Sequence, residues 1–421
     1  MSRHCCVHLK RLLGIIVVLV LVGCGNEFRP VAIPITPPPG TPQPQKQAVV
    51  ISTSPNGGTS TNINVSGTNL FAVRDVPSPV HAALTANSTR TFIANDNDTL
   101  STYLTFGTLS FSPVLTITLP SGSKPVFVHS REASNVYVAL NAPDPACGGS
   151  NGSVGVVSIT TLTLIGTVCA GVQPVALAEL PNGSKLYVAN QGGNDVTVVN
   201  TADRSVATTI AVGSAPSAID VSADGAFVYV ANKGSGTVSV IDAIEDTIRA
   251  TLTVESTPTF LKYEDTNKKV YVVNSGSNSV SIIDANSASA SFLGSPVSTL
   301  PVGNAPVSVT PLVNGAKAYV ANSGSNSVTV INAQTQTIIG TVALDTSPVD
   351  IGSSPDSNHV FVAREGIPSP NPQAAPTPAK VSVIRTSDDT INVDIALPPP
   401  PSLPAGTVPP LMTPKQLLVT P

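Results

Sequence analysis

Apolar residues run along this chain in short bursts, each closed by a cluster of Gly, Asn, Asp, Ser or Pro. Residues 174–216 hold one complete unit of the pattern. Pro174-Val175-Ala176-Leu177-Ala178 predicts a strand A, and Pro181-Asn182-Gly183 a hairpin turn after it. Residues 185–190 predict strand B, and Gln191-Gly192-Gly193-Asn194 a second turn. Val196-Thr197-Val198-Val199 predicts strand C, Ala202-Asp203 a third turn, and residues 206–212 strand D. Gly213-Ser214-Ala215-Pro216 then opens the next unit. Four short antiparallel strands with no helical periodicity make a propeller blade.

Strand B carries a phrase that recurs seven times: an aromatic, Val or Ile, a small apolar residue, then usually Asn. Its aromatics are Phe92, Tyr137, Tyr187, Tyr229, Tyr271, Tyr319 and Phe361, spaced 42–50 residues apart. A period of that length with strand content predicts an all-β, seven-bladed β-propeller of four-stranded antiparallel blades over residues 75–397. The register supports it. A Pro opens strand A 13 residues before the aromatic in six blades and 12 before it in blade 2 (Pro125 and Tyr137). Both faces of strand B are apolar, as expected where each blade is covered by a neighbour on either side. The terminal Asn suits a turn, where its side chain bonds nearby backbone.

These features resemble the YVTN family of β-propeller repeats, related to WD40-like, surface-layer and quinoprotein-type propellers. The resemblance is sharpest in blades 3 to 6, where Tyr187-Val188-Ala189-Asn190 and its counterparts keep the whole phrase. Blade 2 departs with Leu140 in place of Asn, and blade 7 with Arg364. The resemblance implies a seven-bladed, usually exported ring.

The flanks differ from the repeat. Arg3, Lys10 and Arg11 precede an apolar run over residues 12–22 that is too short to span a bilayer as a helix. That run ends in Leu21-Val22-Gly23-Cys24, which resembles the bacterial lipobox. Residues 1–23 are therefore expected to be a removed lipoprotein signal, with Cys24 the lipidated first residue. Residues 24–47 read as a Pro-rich tether, able at roughly 3 Å per residue to hold a domain about 50 Å from the bilayer. Residues 398–421 are again Pro-rich and read as a disordered tail. Residues 48–74 carry two strand-like runs, Asn62-Ile63-Asn64-Val65 and Leu70-Phe71-Ala72-Val73. They are expected either to fasten the seam between blades 7 and 1 or to form a separate N-terminal hairpin. The expected location is the cell envelope: exported, lipid-anchored in the outer membrane, with a periplasmic or surface face.

Composition narrows the function. Removing residues 1–23 takes three of the 21 basic residues and none of the 25 acidic ones, leaving a net charge of −7. No basic patch survives, so no nucleic-acid partner is expected. With 11% charged residues, 4% aromatics and no Trp, the chain has the makeup of strands and tight turns. No nucleophile elbow, phosphate loop or paired zinc motif occurs, and no catalytic residue, metal or cofactor is expected.

Chemistry in a propeller lies on loops and channel mouths. The candidate channel residues sit two or four positions after the opening Pro of strand A: His81, His129, Asp220, Lys262 and Asp350. Asn95-Asp96-Asn97-Asp98 resembles part of a calcium loop but lacks its spaced Gly and Glu, and reads as a polar turn. Cys147 and Cys169 fall near one edge of blade 2 and make a candidate disulfide in an exported protein. The B–C connections of blade 2 (141–153) and blade 7 (365–380) are enlarged and would flank blade 1 on one face. This sector is a candidate interaction surface.

Three functions fit this reading. The first is a non-catalytic binding scaffold, joined to the membrane through its N-terminal lipid, for an envelope protein, glycan or peptide. The second is a lactonase-like or quinoprotein-like enzyme with its site at the channel mouth. The third is a structural component of a surface layer.

Overall fold

The computed structural model describes residues 46–420, apart from 56, 66–68, 106–113, 132–133, 295–297, 372–373 and 400–407. The signal, Cys24 and nearly all of the tether lie outside the described residues. Among those described, the chain forms eight four-stranded antiparallel sheets. Seven of them are the units read from the repeat. Blade 3 is typical, with strand A at Pro174–Glu179, B at Lys185–Asn190, C at Asp195–Asn200 and D at Ser205–Ala211. The A strands are the inner strands, and each neighbours the next around the ring.

The eighth sheet corrects the expected count of seven. Its inner strand is Thr413–Val419, from the stretch expected to be a disordered tail. Its strands B, C and D are Gln47–Ser54, Gly57–Asn64 and Asn69–Val76. Thr413–Val419 pairs antiparallel with Gln47–Ser54, so the two ends of the domain complete one blade between blades 7 and 1. The tether therefore ends before Gln47, and residues 48–74 belong to a full blade rather than an added edge or a free hairpin. Closing the ring between two chain ends covers the faces that blades 7 and 1 would otherwise expose.

The core lies between blades. Tyr187, Val196 and Val198 of blade 3 pack against Val221, Val228 and Val230 of blade 4. On the opposite face, Leu186 and Val188 meet Tyr137 and Ala139 of blade 2. Each fully buried Val or Tyr contributes on the order of 2 kcal/mol, repeated at every junction. Blade 8 joins blade 7 by the same means, with Ala48, Val50 and Leu417 against Phe361 and Val381. Its junction with blade 1 is more polar. The Ser60 and Tyr103 hydroxyls are 2.6 Å apart, the Tyr103 hydroxyl donates to Asn62 Oδ1 (3.1 Å), and the Arg74 guanidinium lies over the Tyr103 ring.

The Asn that ends the repeated phrase acts across the blade, not on its own turn. Asn190 Nδ2 donates to Asp195 Oδ1 (2.6 Å) and Thr197 Oγ1 (2.9 Å) on strand C. Asn232, Asn274 and Asn322 each reach two strand C hydroxyls in the same way. The D–A loop closes over this clamp. A Cβ added at Gly213 would lie 2.7 Å from the Asn232 side chain, so glycine is required there.

Candidate functional site

The inner strands enclose a cavity of about 470 Å³. It is lined by the later residues of each A strand and so lies toward the A–B hairpin end of the ring. His81, His129, Asp220, Lys262 and Asp350 all line it, together with Phe127, Phe260, Arg131, Thr310 and Gln416.

Most of these side chains are engaged with the neighbouring inner strand. At the second position after the opening Pro, His81 Nδ1 accepts from Val128 N–H of blade 2 (3.2 Å). Asp350 Oδ2 likewise accepts from Leu417 N–H of blade 8 (2.9 Å). Gln416 Oε1 continues this tier from blade 8 to Ala82 N–H of blade 1 (2.6 Å). At the fourth position a second tier repeats the device. His129 Nε2 accepts from Glu179 N–H (3.3 Å), Asp220 Oδ2 from Tyr263 N–H (3.0 Å) and Thr310 Oγ1 from Ser353 N–H (3.1 Å). An inner strand has an unpaired edge toward the channel, and these side chains satisfy N–H groups that the sheet leaves open.

The electrostatics follow from this use. His81 stacks on Phe127 with ring centroids 3.8 Å apart. Burial, then the nearby His129, pulls the His81 pKa down to about 3. Burial, then Arg131, pulls that of His129 down to about 4. Both rings are therefore neutral at neutral pH, with the nitrogens above free to accept. Asp220 also accepts from its own Val221 N–H (3.0 Å) and pairs with Lys262 (3.1 Å). Asp350 accepts in the same way from Ile351 N–H (2.9 Å), and its enclosure raises its carboxyl above the usual range. Lys262, half-exposed, is the candidate that reaches furthest into solvent.

Among the described residues, no three His, Cys, Asp or Glu side chains are grouped as a metal site. Asp98 lies in the calcium-loop-like turn. Its carboxylate instead accepts from the Gly122 N–H (2.6 Å) and Lys124 N–H (3.0 Å), fastening the loop that leads into blade 2. Gln416, Arg131 and Glu179 were not singled out in the sequence. Thr310 stood at an equivalent fourth position, whereas Gln416 lay in a strand hidden by flanking prolines.

The enlarged B–C connections lie at the opposite end of the ring from the cavity. In an eight-bladed ring, blades 8 and 1 both stand between them, so they do not flank blade 1 alone. Both are braced. The blade 2 connection contains a short 3-10 turn, Pro145–Cys147, whose Asp144 cap accepts from Ala146 N–H (2.9 Å). A disulfide joins Cys147 to Cys169 at the end of strand D. The blade 7 connection closes on an Ile367–Thr377 bridge. At its base Arg364, 1% exposed, pairs with Asp345 and with Asp394 (2.8 Å), and Lys380 pairs with Asp345 (2.9 Å).

The family model described as "Lactonase, 7-bladed beta-propeller" matches residues 158–256 and 200–311, from the end of strand C in blade 2 to strand A of blade 6. A search of curated proteins gave no match. Three solved structures illustrate the shared fold. The dihydro-heme d1 dehydrogenase NirN in complex with DHE has a TM-score of 0.69 at 12% identity, over 90% of this chain and 76% of that one. Apo AztD from Citrobacter koseri has a TM-score of 0.59 at 10% identity, over 89% and 98%. A candidate 6-phosphogluconolactonase from Bacteroides fragilis has a TM-score of 0.55 at 16% identity, over 72% and 96%. At these identities the likeness establishes a β-propeller.

Proposed function

We propose that this chain is an exported, lipid-anchored propeller of the cell envelope that displays a rigid, non-catalytic binding surface. The observation that carries this reading is the contrast between the two ends of the ring. In the channel, His81, His129, Asp220, Thr310, Asp350 and Gln416 are occupied in joining one inner strand to the next. At the other end, two enlarged connections are held in shape by a disulfide and by an ion network around the buried Arg364. Connections braced in this way can present a fixed surface to an envelope protein, glycan or peptide. Replacing residues 367–377 with a short Gly-Ser turn tests it. Crosslinking in intact envelopes should then lose the adducts made by the parent chain, while the ring keeps its thermal unfolding. Unchanged adducts would remove the blade 7 connection from the reading.

A second reading is a lactonase-type hydrolase. It is favoured by the family match over 158–311 and by the ion pair of half-exposed Lys262 with Asp220 at the cavity mouth. Turnover of a lactone panel that disappears in Asp220→Asn, with the fold intact, would select this reading over the first. A surface-layer role predicts ordered self-assembly of the purified chain, which electron microscopy would reveal.

A further inference from the structure

Where blade 8 meets blade 1 in the channel, there is one N–H more than there are acceptors. His81 and Gln416 both line the cavity, with their Nε2 atoms 3.3 Å apart. Gln416 Oε1 accepts from Ala82 N–H at 2.6 Å, which settles the amide's orientation, since a flipped amide would set two donors at that distance. The amide nitrogen of Gln416 is therefore the atom turned toward His81. The other ring nitrogen, Nδ1, faces Val128 N–H at 3.2 Å. Two donors thus aim at one imidazole. A neutral imidazole accepts on one nitrogen and carries a proton on the other. In either tautomer, one donor goes without.

Burial decides which. Val128 is 1% exposed, and the acceptor its N–H meets is His81 Nδ1. A backbone N–H left unpaired at such a place is costly. Nδ1 therefore accepts, and Nε2 carries the proton. The ring N–H of His81 and the amide N–H of Gln416 then meet beside the cavity, and neither can accept from the other. Phe127, stacked on His81 with centroids 3.8 Å apart, restrains the ring from turning away.

We propose that the channel binds a small uncharged molecule with an apolar body, whose carbonyl oxygen accepts from His81 Nε2–H and Gln416 Nε2–H together. A carbonyl oxygen has two lone pairs and can take both bonds. Two converging donors exclude a cation. The charged groups that line the cavity are Arg131 and Lys262 against Glu179, Asp220 and Asp350, with no excess of positive charge to favour an anion. Phe127, Leu177, Ile219 and Phe260 supply apolar lining for the body of the ligand. This site lies at the end of the ring opposite the braced connections, and it rests on neither reading of the function given above.

The test uses the purified full chain labelled with nitrogen-15 at histidine, and acetophenone as the probe. In the free protein, long-range proton–nitrogen spectra should show His81 protonated on Nε2 and bare on Nδ1. Acetophenone should shift the Nε2 signal to saturation. Ethylbenzene, nearly the same shape without the oxygen, should bind about tenfold more weakly, the worth of one or two net hydrogen bonds. Benzoate should also bind more weakly than acetophenone. Gln416→Glu keeps an acceptor for Ala82 N–H and gives His81 Nε2–H an acceptor inside the protein, so it should weaken acetophenone by about tenfold or more. If that variant does not fold, His81→Asn should do the same, since its carbonyl can accept from Val128 N–H while the Nε2–H is lost. The proposal is overturned by a His81 protonated on Nδ1, by a probe response that does not saturate, by ethylbenzene or benzoate binding as well as acetophenone, or by an affinity unchanged in the variants.

Discussion

Asp350 Oδ2 accepts from the Leu417 backbone N–H at 2.9 Å, linking residues 67 apart and tying the inner strand of blade 7 to the strand that closes the ring. Its other oxygen accepts from Ile351 N–H, so the carboxylate is used on both sides. Gly352 lies alongside, where a Cβ would meet Leu417 Cδ2 at 2.8 Å. The closing strand thus sits against a surface cut to receive it.

Enclosure raises the Asp350 carboxyl above its usual range, which fixes the sign of its pH effect. The folded state holds this proton more tightly than the unfolded chain. The stability linked to it is fully present below the unfolded carboxyl value of about 3.9 and is lost as pH rises through the folded value. Hydrogen-bonded carboxylates such as Asp284, held down to about 2 by Ser291, Ser289 and Lys269, act in the opposite sense. The clean measurement is therefore a difference. The stability of the parent minus that of Asp350→Asn should shrink from pH 4 to pH 7 in parallel urea titrations. A gap constant across that range would show that Asp350 does not titrate as described.

Seven blades were legible in the sequence because each repeats an apolar strand B ending in a fixed phrase. The eighth was not. Its strand C, Gly57–Asn64, buries Thr59, Ser60, Thr61 and Asn62, so hydroxyls and an amide fill positions that are apolar elsewhere. Its inner strand comes from the other end of the chain. The channel positions were visible as places in a register, but their task was not. That His129 meets Glu179 N–H depends on how closely adjacent inner strands approach, which one strand's pattern does not encode.

The Asn clamp predicts a graded loss of stability. Asn232 Nδ2 donates to Thr237 Oγ1 (3.1 Å) and Ser239 Oγ (2.9 Å), all within one blade. Asn232→Ala should cost about 1–2 kcal/mol by urea unfolding, since it removes two bonds at a buried site. Asn190→Ala and Asn322→Ala, in blades with no shared partner, should add when combined. Marked non-additivity would mean that the blades do not behave as separate units.

Arg364 predicts a larger effect from a different cause. In blade 7 the Ser382 hydroxyl, which corresponds to the clamp acceptor Thr197, donates instead to Asp394 (2.6 Å). Arg364 neutralises Asp394 and Asp345. Arg364→Asn would restore the repeat residue and leave two carboxylates facing one lysine. Both carboxylates reach solvent, so the loss is expected near 1–3 kcal/mol rather than the larger figure for a fully buried pair. Adding Asp394→Asn should recover part of it. No recovery would mean that the guanidinium acts by filling space, not by its charge.

The disulfide should hold one connection more than it holds the ring. Cys147 and Cys169 are 22 residues apart and close a loop of one B–C connection with strands C and D of blade 2. Such a loop is worth about 3 kcal/mol in the chain-entropy picture. The double variant Cys147→Ser, Cys169→Ser should lower the unfolding midpoint and speed amide exchange across residues 141–153. Exchange should be unaltered in blades 4 to 6. A change spread over the whole ring would assign the bridge a global role.

The closing strand carries the strongest prediction. Thr413–Val419 supplies the fourth strand of blade 8, the acceptor Gln416 to blade 1 and the N–H of Leu417 to blade 7. Leu417 and Met412 also sit in the cluster that joins blades 7 and 8. Deleting residues 408–421 removes all of these links at once and exposes the inner edge of Gln47–Ser54, whose Ala48, Val49, Val50 and Ile51 are buried in the intact ring. An exposed apolar strand edge pairs with other chains. The truncated protein should therefore bind a hydrophobic dye and self-associate on size exclusion. Its amide protection should fall first in blades 8, 7 and 1. Adding a peptide of residues 408–421 should reverse these changes, because the groove it fills is formed by blades that remain. A truncated chain that stays monomeric, with full protection in blade 8, would show that the ring closes without this strand.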